Sequence, residues 1–215
     1  MYQYSYFKEN DKEIILDFIE KYPFAFLTGS FISGEQVATQ IPLVLEVRNE
    51  ELYLQGHIMR NTDHHKAFIE NPNCLVVFSG PSAYVSATWY NSPQSGSTWN
   101  YMSVHVKGKM NFMTNEGLAT LMKKFTLKFE NNDMESPTIF DNLPKEYLNK
   151  YMPAIVGFEI KVETIDNTFK LSQNKDEESY TSIVSKLEEL GGNNLLIAEE
   201  MKLRKAELFS KNKER

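Results

Sequence analysis

The chain has 215 residues, of which 41% are hydrophobic, 24% charged and 13% aromatic, enough apolar material to fold and to exclude wholesale disorder. Its 29 acidic against 23 basic side chains give a formal charge of −6, opposite in sign to what a nucleic-acid-binding surface needs, so a generic nucleic-acid partner is disfavoured. The single cysteine, Cys74, excludes an intrachain disulfide and a thiolate-rich zinc site, and no apolar run approaches the roughly 18 residues of a membrane span. With no signal-peptide pattern at Met1–Asn10, the expectation is a cytoplasmic protein without a membrane partner.

Asn10 or Asp11 can cap an opening helix with Ile14, Ile15, Phe18 and Ile19 on one face, ended by Pro23. Residues 24–31 and 36–47 are β-branched and aromatic, separated by turn residues Ser33-Gly34-Glu35, and read as an antiparallel pair. Residues 51–58 alternate as a strand. Thr62-Asp63 then caps a short helix over residues 64–70, closed by Asn71-Pro72-Asn73. Residues 74–79 form an apolar run typical of a strand buried on both faces, and after Gly80-Pro81 a further short strand covers 83–86.

A Gly/Ser/Pro loop over 91–97 leads to a long strand at 99–113, then a helix at 116–129 with Leu118, Leu121, Met122 and Phe125 at three- and four-residue spacing. A short helix around Tyr147 precedes a strand at 154–162 and a last short one at 169–171. From Asp176 the chain is helical and charged, broken at Gly191-Gly192. Six or so strands among these segments, with tight connections and no regular βαβ alternation, predict a β-rich α+β fold built on an antiparallel six-stranded barrel with peripheral helices. Residues 1–175 are assigned to the barrel domain and 176–215 to a C-terminal helical extension packed on the barrel or on a dimer.

The four histidines lack metal-ligand spacing, so no metal is assigned. No nucleophile elbow, P-loop or Gly-x-Gly-x-x-Gly follows a strand, and Cys74 reads as a buried, inert thiol. No catalytic residue is assigned. In Gly56-His57-Ile58-Met59-Arg60-Asn61-Thr62-Asp63 a strand delivers a histidine and an arginine to a helix start. That arrangement suits a phosphate, with Arg60 as a planar, permanently charged fork. The alternative is Arg60 in a surface salt bridge with Thr62 or Asp63 merely capping.

Trp89 and Trp99 lie with Tyr84, Tyr90 and Tyr101 within eighteen residues, a pocket wall or subunit interface on one reading and core filling on the other. Lys170-Leu171-Ser172-Gln173-Asn174 is a dense hydrogen-bonding set after a strand, or an ordinary polar strand exit.

Six blocks in register resemble the PaiB family. They are Ile41-Pro42-Leu43, Gly56–Asn61, Val77–Ser86, Thr98-Trp99-Asn100-Tyr101 with Val104-His105, Ile155-Val156-Gly157, and Lys170–Asn174. The resemblance covers roughly residues 1 to 190. It implies an FMN-binding split barrel, labelled a negative transcriptional regulator and related to pyridoxamine-phosphate oxidases, that forms a homodimer with one FMN in each of two clefts between subunits. On that reading the cofactor-binding residues are Gln40, His57, Ile58, Arg60, Asn61, Thr62, Trp89, Trp99, Asn100, Tyr101, Lys170 and Gln173. Lys170 and Gln173 then reach a flavin held largely by the partner chain.

Three departures stand out: Gln40 where the family has histidine, Asn61-Thr62 for its Asn-Pro, and Ser86-Ala87-Thr88 for its Ser-Pro-Ser. Gln40 keeps hydrogen bonding but cannot be protonated. The expected function is a regulatory or redox-sensing FMN-binding homodimer. Alternatives are a flavin-dependent oxidoreductase acting on a small molecule, with the 91–97 loop as a lid, and a repressor contacting DNA through residues 199–215, which hold six basic and four acidic side chains.

Overall fold

The computed structural model describes residues 1–92 and 95–210; Pro93 and Gln94 of the expected lid loop and the last five residues of the basic segment lie outside them. Seven strands form one sheet: β1 (Phe24–Ser30), β2 (Gln36–Pro42), β3 (Val44–Arg48), β4 (Glu51–Met59), β5 (Asn73–Val85), β6 (Thr98–Phe112) and β7 (Ile155–Lys170). Their order is β2-β1-β5-β6-β7-β4-β3, and the β1–β2, β1–β5, β3–β4 and β4–β7 pairings are antiparallel. Six helices accompany them: α1 (Lys12–Lys21), α2 (Asp63–Glu70), α3 (Asn115–Phe129), α4 (Lys145–Tyr151), α5 (Glu177–Leu190) and α6 (Asn193–Ser210).

The strand count is seven rather than the six expected of the barrel: of the eight segments read as strands, residues 36–47 break at Leu43 into β2 and β3. β2 ends the sheet on one side and β3 on the other, yet a single residue joins them. One residue spans only about 3.5 Å, so the sheet has to curl until its two margins meet there. Two further breaks expected from sequence are absent: β5 continues through Gly80-Pro81, and β7 runs unbroken over the residues read as two strands.

The chain divides into two compact units. One comprises Ile19–Phe78 and His105–Ile165 and contains part of every strand. Its core is built by the alternation of the pleat, with Ala25, Leu27, Val37, Ile41, Leu54, Ile58, Val76, Phe78, Val106, Phe158 and Ile160 all buried. Against the opposite face of β3 and β4 lies α3, whose Leu121 and Phe125 pack on Val44 with Met113 beside them. Thr114 caps α3 by accepting the Gly117 N–H.

The other unit comprises Met1–Phe18, Ser79–Val104 and the chain from Asp166. There α5 packs on α6, with Tyr180, Ile183, Leu187, Ile197 and Met201 buried and the Tyr180 hydroxyl donating to the Met201 carbonyl at 2.9 Å. The turn between the helices uses Gly191 and Gly192 at φ +65° and +57°, the left-handed region where a Cβ is disfavoured. The N-terminal segment is tied to the end of β7: Lys8 meets Asp166 at 2.6 Å, and Glu9 and Asn167 exchange two hydrogen bonds of 2.8 and 2.9 Å.

Candidate functional site

The sequence-predicted residues fall into two sets, one in each unit. In the first, β4 ends at Met59 and Arg60 follows, its backbone N–H held by the Ala154 carbonyl at 2.9 Å. Asn61 then turns the chain at φ +65°. Thr62 is the N-cap of α2, donating to the Met59 carbonyl and accepting from the His65 N–H. His65 Nδ1 accepts the Asn61 N–H at 3.0 Å, which fixes the turn from inside the helix.

The backbone donors of His64, His65 and Lys66 at this helix start are already used. His64 N–H goes to the Asp63 carboxylate at 2.7 Å, His65 N–H to Thr62 and Lys66 N–H to the Thr62 carbonyl. Those bonds from His64, backbone first and ring second, hold the Asp63 carboxyl below its ordinary range. At this turn the Arg60 guanidinium is a cationic group without a carboxylate among the described residues. Arg48 is paired with Glu46 and Glu159, and Arg204 with Glu9 and Glu200. Among the described residues Arg60 has no carboxylate or hydrogen-bond partner for its side chain. The surface salt bridge left open by the sequence is not made among the described residues.

His57 lies edge-on to Phe125 at 5.6 Å, and its Nδ1 is buried with no hydrogen-bond partner among the described residues. Burial pushes its pKa down, so the ring is kept neutral. Ile58 is a core side chain, whereas Gln40 is exposed on β2 directly across from Phe26 of β1.

In the second set Trp99 and Tyr84 form an exposed pair, rings 6.0 Å apart at 70°, with Trp99 56% exposed. Trp89 sits in a 3-10 turn capped by Ser86, and Tyr90 is buried beneath the Lys175 ammonium, 3.8 Å from its ring centre. Lys170 donates to Thr98 and lies over the rings of Tyr2 and Phe7, at 5.6 and 6.0 Å. Burial, and then Lys175, pushes its pKa down, as burial pushes the Tyr101 phenol up. Neither Lys170 nor Lys175 meets a carboxylate among the described residues.

Two members of this set serve the fold. Asn100 is fully buried, its Oδ1 accepting from Ser172 at 3.0 Å and its amide donating to the Met201 sulfur at 3.5 Å. Gln173 accepts the Leu171 N–H at 2.7 Å and donates to the Phe169 carbonyl, closing the turn in which Ser172 stands at φ +63°. The sequence reading missed His65 as the brace of the Arg60 turn and the N-terminal aromatics around Lys170; the run Tyr2, Tyr4, Tyr6, Phe7 was their only signal.

Residues 1–164 match the family described as "Putative FMN-binding domain", and the chain belongs to that family, whose cofactor is FMN. Within it the PaiB resemblance holds. The "Protease synthase and sporulation protein PAI 2" of Bacillus subtilis (strain 168) is 34% identical over 191 residues, covering 87% of this chain and 89% of the relative.

Two solved structures share the fold at low identity. The flavocytochrome Anf3 of Azotobacter vinelandii aligns with a TM-score of 0.53 and 17% identity over 84% of this chain and 78% of its own. The FAD and heme binding protein of Mycobacterium smegmatis aligns with a TM-score of 0.51 and 15% identity over 76% and 73%.

The residues present fit FMN. An unpaired guanidinium at a strand–helix junction matches a phosphate, the exposed Tyr84–Trp99 pair matches a planar ring, and the carboxylate-free Lys170 matches a polar, electron-rich ring edge. Among the described residues no helix is long and apolar enough to cross a membrane.

Proposed function

We propose that the protein is an FMN-binding split-barrel protein of PaiB type that acts as a regulatory or redox-sensing homodimer. The observation that carries this reading is the free guanidinium of Arg60, held at the start of α2 by the Thr62 cap and the His65 brace. Arg60 binds two phosphate oxygens of FMN, while His57, kept neutral, offers Nδ1 as an acceptor without adding charge. In the homodimer the Tyr84–Trp99 pair and Lys170 are presented to the flavin of the partner chain, the lysine favouring negative charge on the ring edge. FMN, when bound, supplies reversible one- and two-electron redox chemistry that this chain's side chains lack.

The absorption spectrum of freshly purified protein, FMN fluorescence during titration and sedimentation together test the reading. A flavin band or saturable quenching on a dimer is expected. A colourless monomer that leaves FMN fluorescence unchanged overturns it, and reduction of bound FMN by NADH or NADPH with turnover on an acceptor would move the assignment to an oxidoreductase.

A further inference from the structure

The first unit contains a groove of about 410 Å³ between α3 and the outer face of the sheet, within the size range of small-molecule sites. None of the residues lining it belongs to the flavin-binding set. Its floor is Gln55 of β4, which stands in a cross-strand row between Val44 of β3 and Glu159 of β7. Val44 is packed under Leu121 and Phe125 and does not line the groove, whereas Gln55 faces it. The helix sits close because its neighbour on β7 is Gly157, where a Cβ would stand 3.2 Å from Leu118 and from the Met113 sulfur. A smaller hollow of about 190 Å³ adjoins and shares Glu46, Gln55 and Lys124.

Gln55 is 7% exposed, and among the described residues its side-chain amide has no hydrogen-bond partner. On a side chain this enclosed, an amide with donor and acceptor side by side and neither paired among the described residues opens on the groove, where a ligand can meet both. The charges around it are already matched: Glu46 faces Arg48 at 3.7 Å and Lys124 at 3.5 Å, and Glu159 is paired with Arg48. An added anion would meet the carboxylates of Glu46 and Glu159, and an added cation the ammonium of Lys124. Asn111, Thr114 and Thr120 add neutral polar groups to the lining, with Phe112 and Leu121 as apolar wall.

We infer that this groove binds a small uncharged ligand through a donor–acceptor amide edge, as in a lactam, carboxamide or nucleobase, with Gln55 as its reciprocal partner. The probe is uracil, titrated into the full-length protein while the Gln55 side-chain NH2 signals are followed by NMR. Saturable shifts are expected, with no saturable binding of 1,3-dimethyluracil, whose edge donors are blocked. Gln55→Met should weaken uracil at least about tenfold. Thr120→Phe, a change on the exposed side of α3 that fills the groove, should abolish the shifts even if the Gln55 variant misfolds. Absence of saturable shifts, equal binding of dimethyluracil, or uracil affinity unchanged in Thr120→Phe overturns the inference.

Discussion

His65 Nδ1 accepts the backbone N–H of Asn61 at 3.0 Å, so the ring that braces the Arg60 turn has to be unprotonated at that nitrogen. Burial first, then the charges of Arg60 and His64, push its pKa below the ordinary 6.5, and burial does the same to His57. The unfolded chain therefore takes up protons before the folded one as pH falls below about 6.5. Stability from the two rings is complete above that point and is lost toward their folded values. Urea midpoints should fall between about pH 7 and about pH 5, above the range where the lowered carboxyls of Asp63, Asp166 and Asp176 titrate. In His57→Gln/His65→Gln the slope should flatten. An undiminished slope in that variant would refute the assignment.

Arg60→Ala should weaken FMN binding by about ten- to a hundredfold, the range of a lost charge-assisted hydrogen bond. Arg204, tied to Glu9 and Glu200, serves as the comparison, and its replacement should leave the FMN affinity of the folded protein within about threefold of wild type. Fluorescence titration of both variants decides the matter; equal losses would place the phosphate elsewhere.

Packing at Gly108 makes a sharper structural prediction. A Cβ there would lie 2.2 Å from the Lys161 carbonyl oxygen and 2.8 Å from Ile160, and backbone cannot swing aside as a side-chain tip can. Gly108→Ala should cost about 1–3 kcal/mol in urea unfolding, and a loss under about 0.5 kcal/mol would show that β6 can shift against β7.

Cys74 is buried on β5, its thiol donating to the Gly108 carbonyl at 3.4 Å, and burial pushes its pKa up to about 12. At pH about 8 on the order of one thiol in ten thousand is ionised, so a thiol-reactive dye should label the folded protein negligibly and the denatured chain completely. Rapid labelling in native buffer would mean that this end of β5 opens locally.

Local signals carried much of the fold and less of the site. The cap at Thr62 and the apolar face of α3 depend on residues within a few positions of one another, and these were legible. The break at Leu43 was not, because Leu43 and Val44 are both buried, which erases the period-two alternation that marks a strand. Gly80-Pro81 misled in the other direction: β1 pairs with β5 only over Leu75–Val77, so Pro81 lies beyond that ladder and its missing N–H interrupts nothing there. The internal partners of Asn100, Ser172 and Met201, lie 72 and 101 residues away, a distance that pattern reading cannot bridge.

The one-residue link at Leu43 places a constraint on length rather than on chemistry. An insertion between Pro42 and Val44 would turn one flanking strand over, sending Ile41 outward or freeing Val44 from beneath α3. Loops elsewhere tolerate gains and losses; here homologous chains should vary in residue type but not in spacing, so that a single indel would mark a protein that has abandoned this architecture.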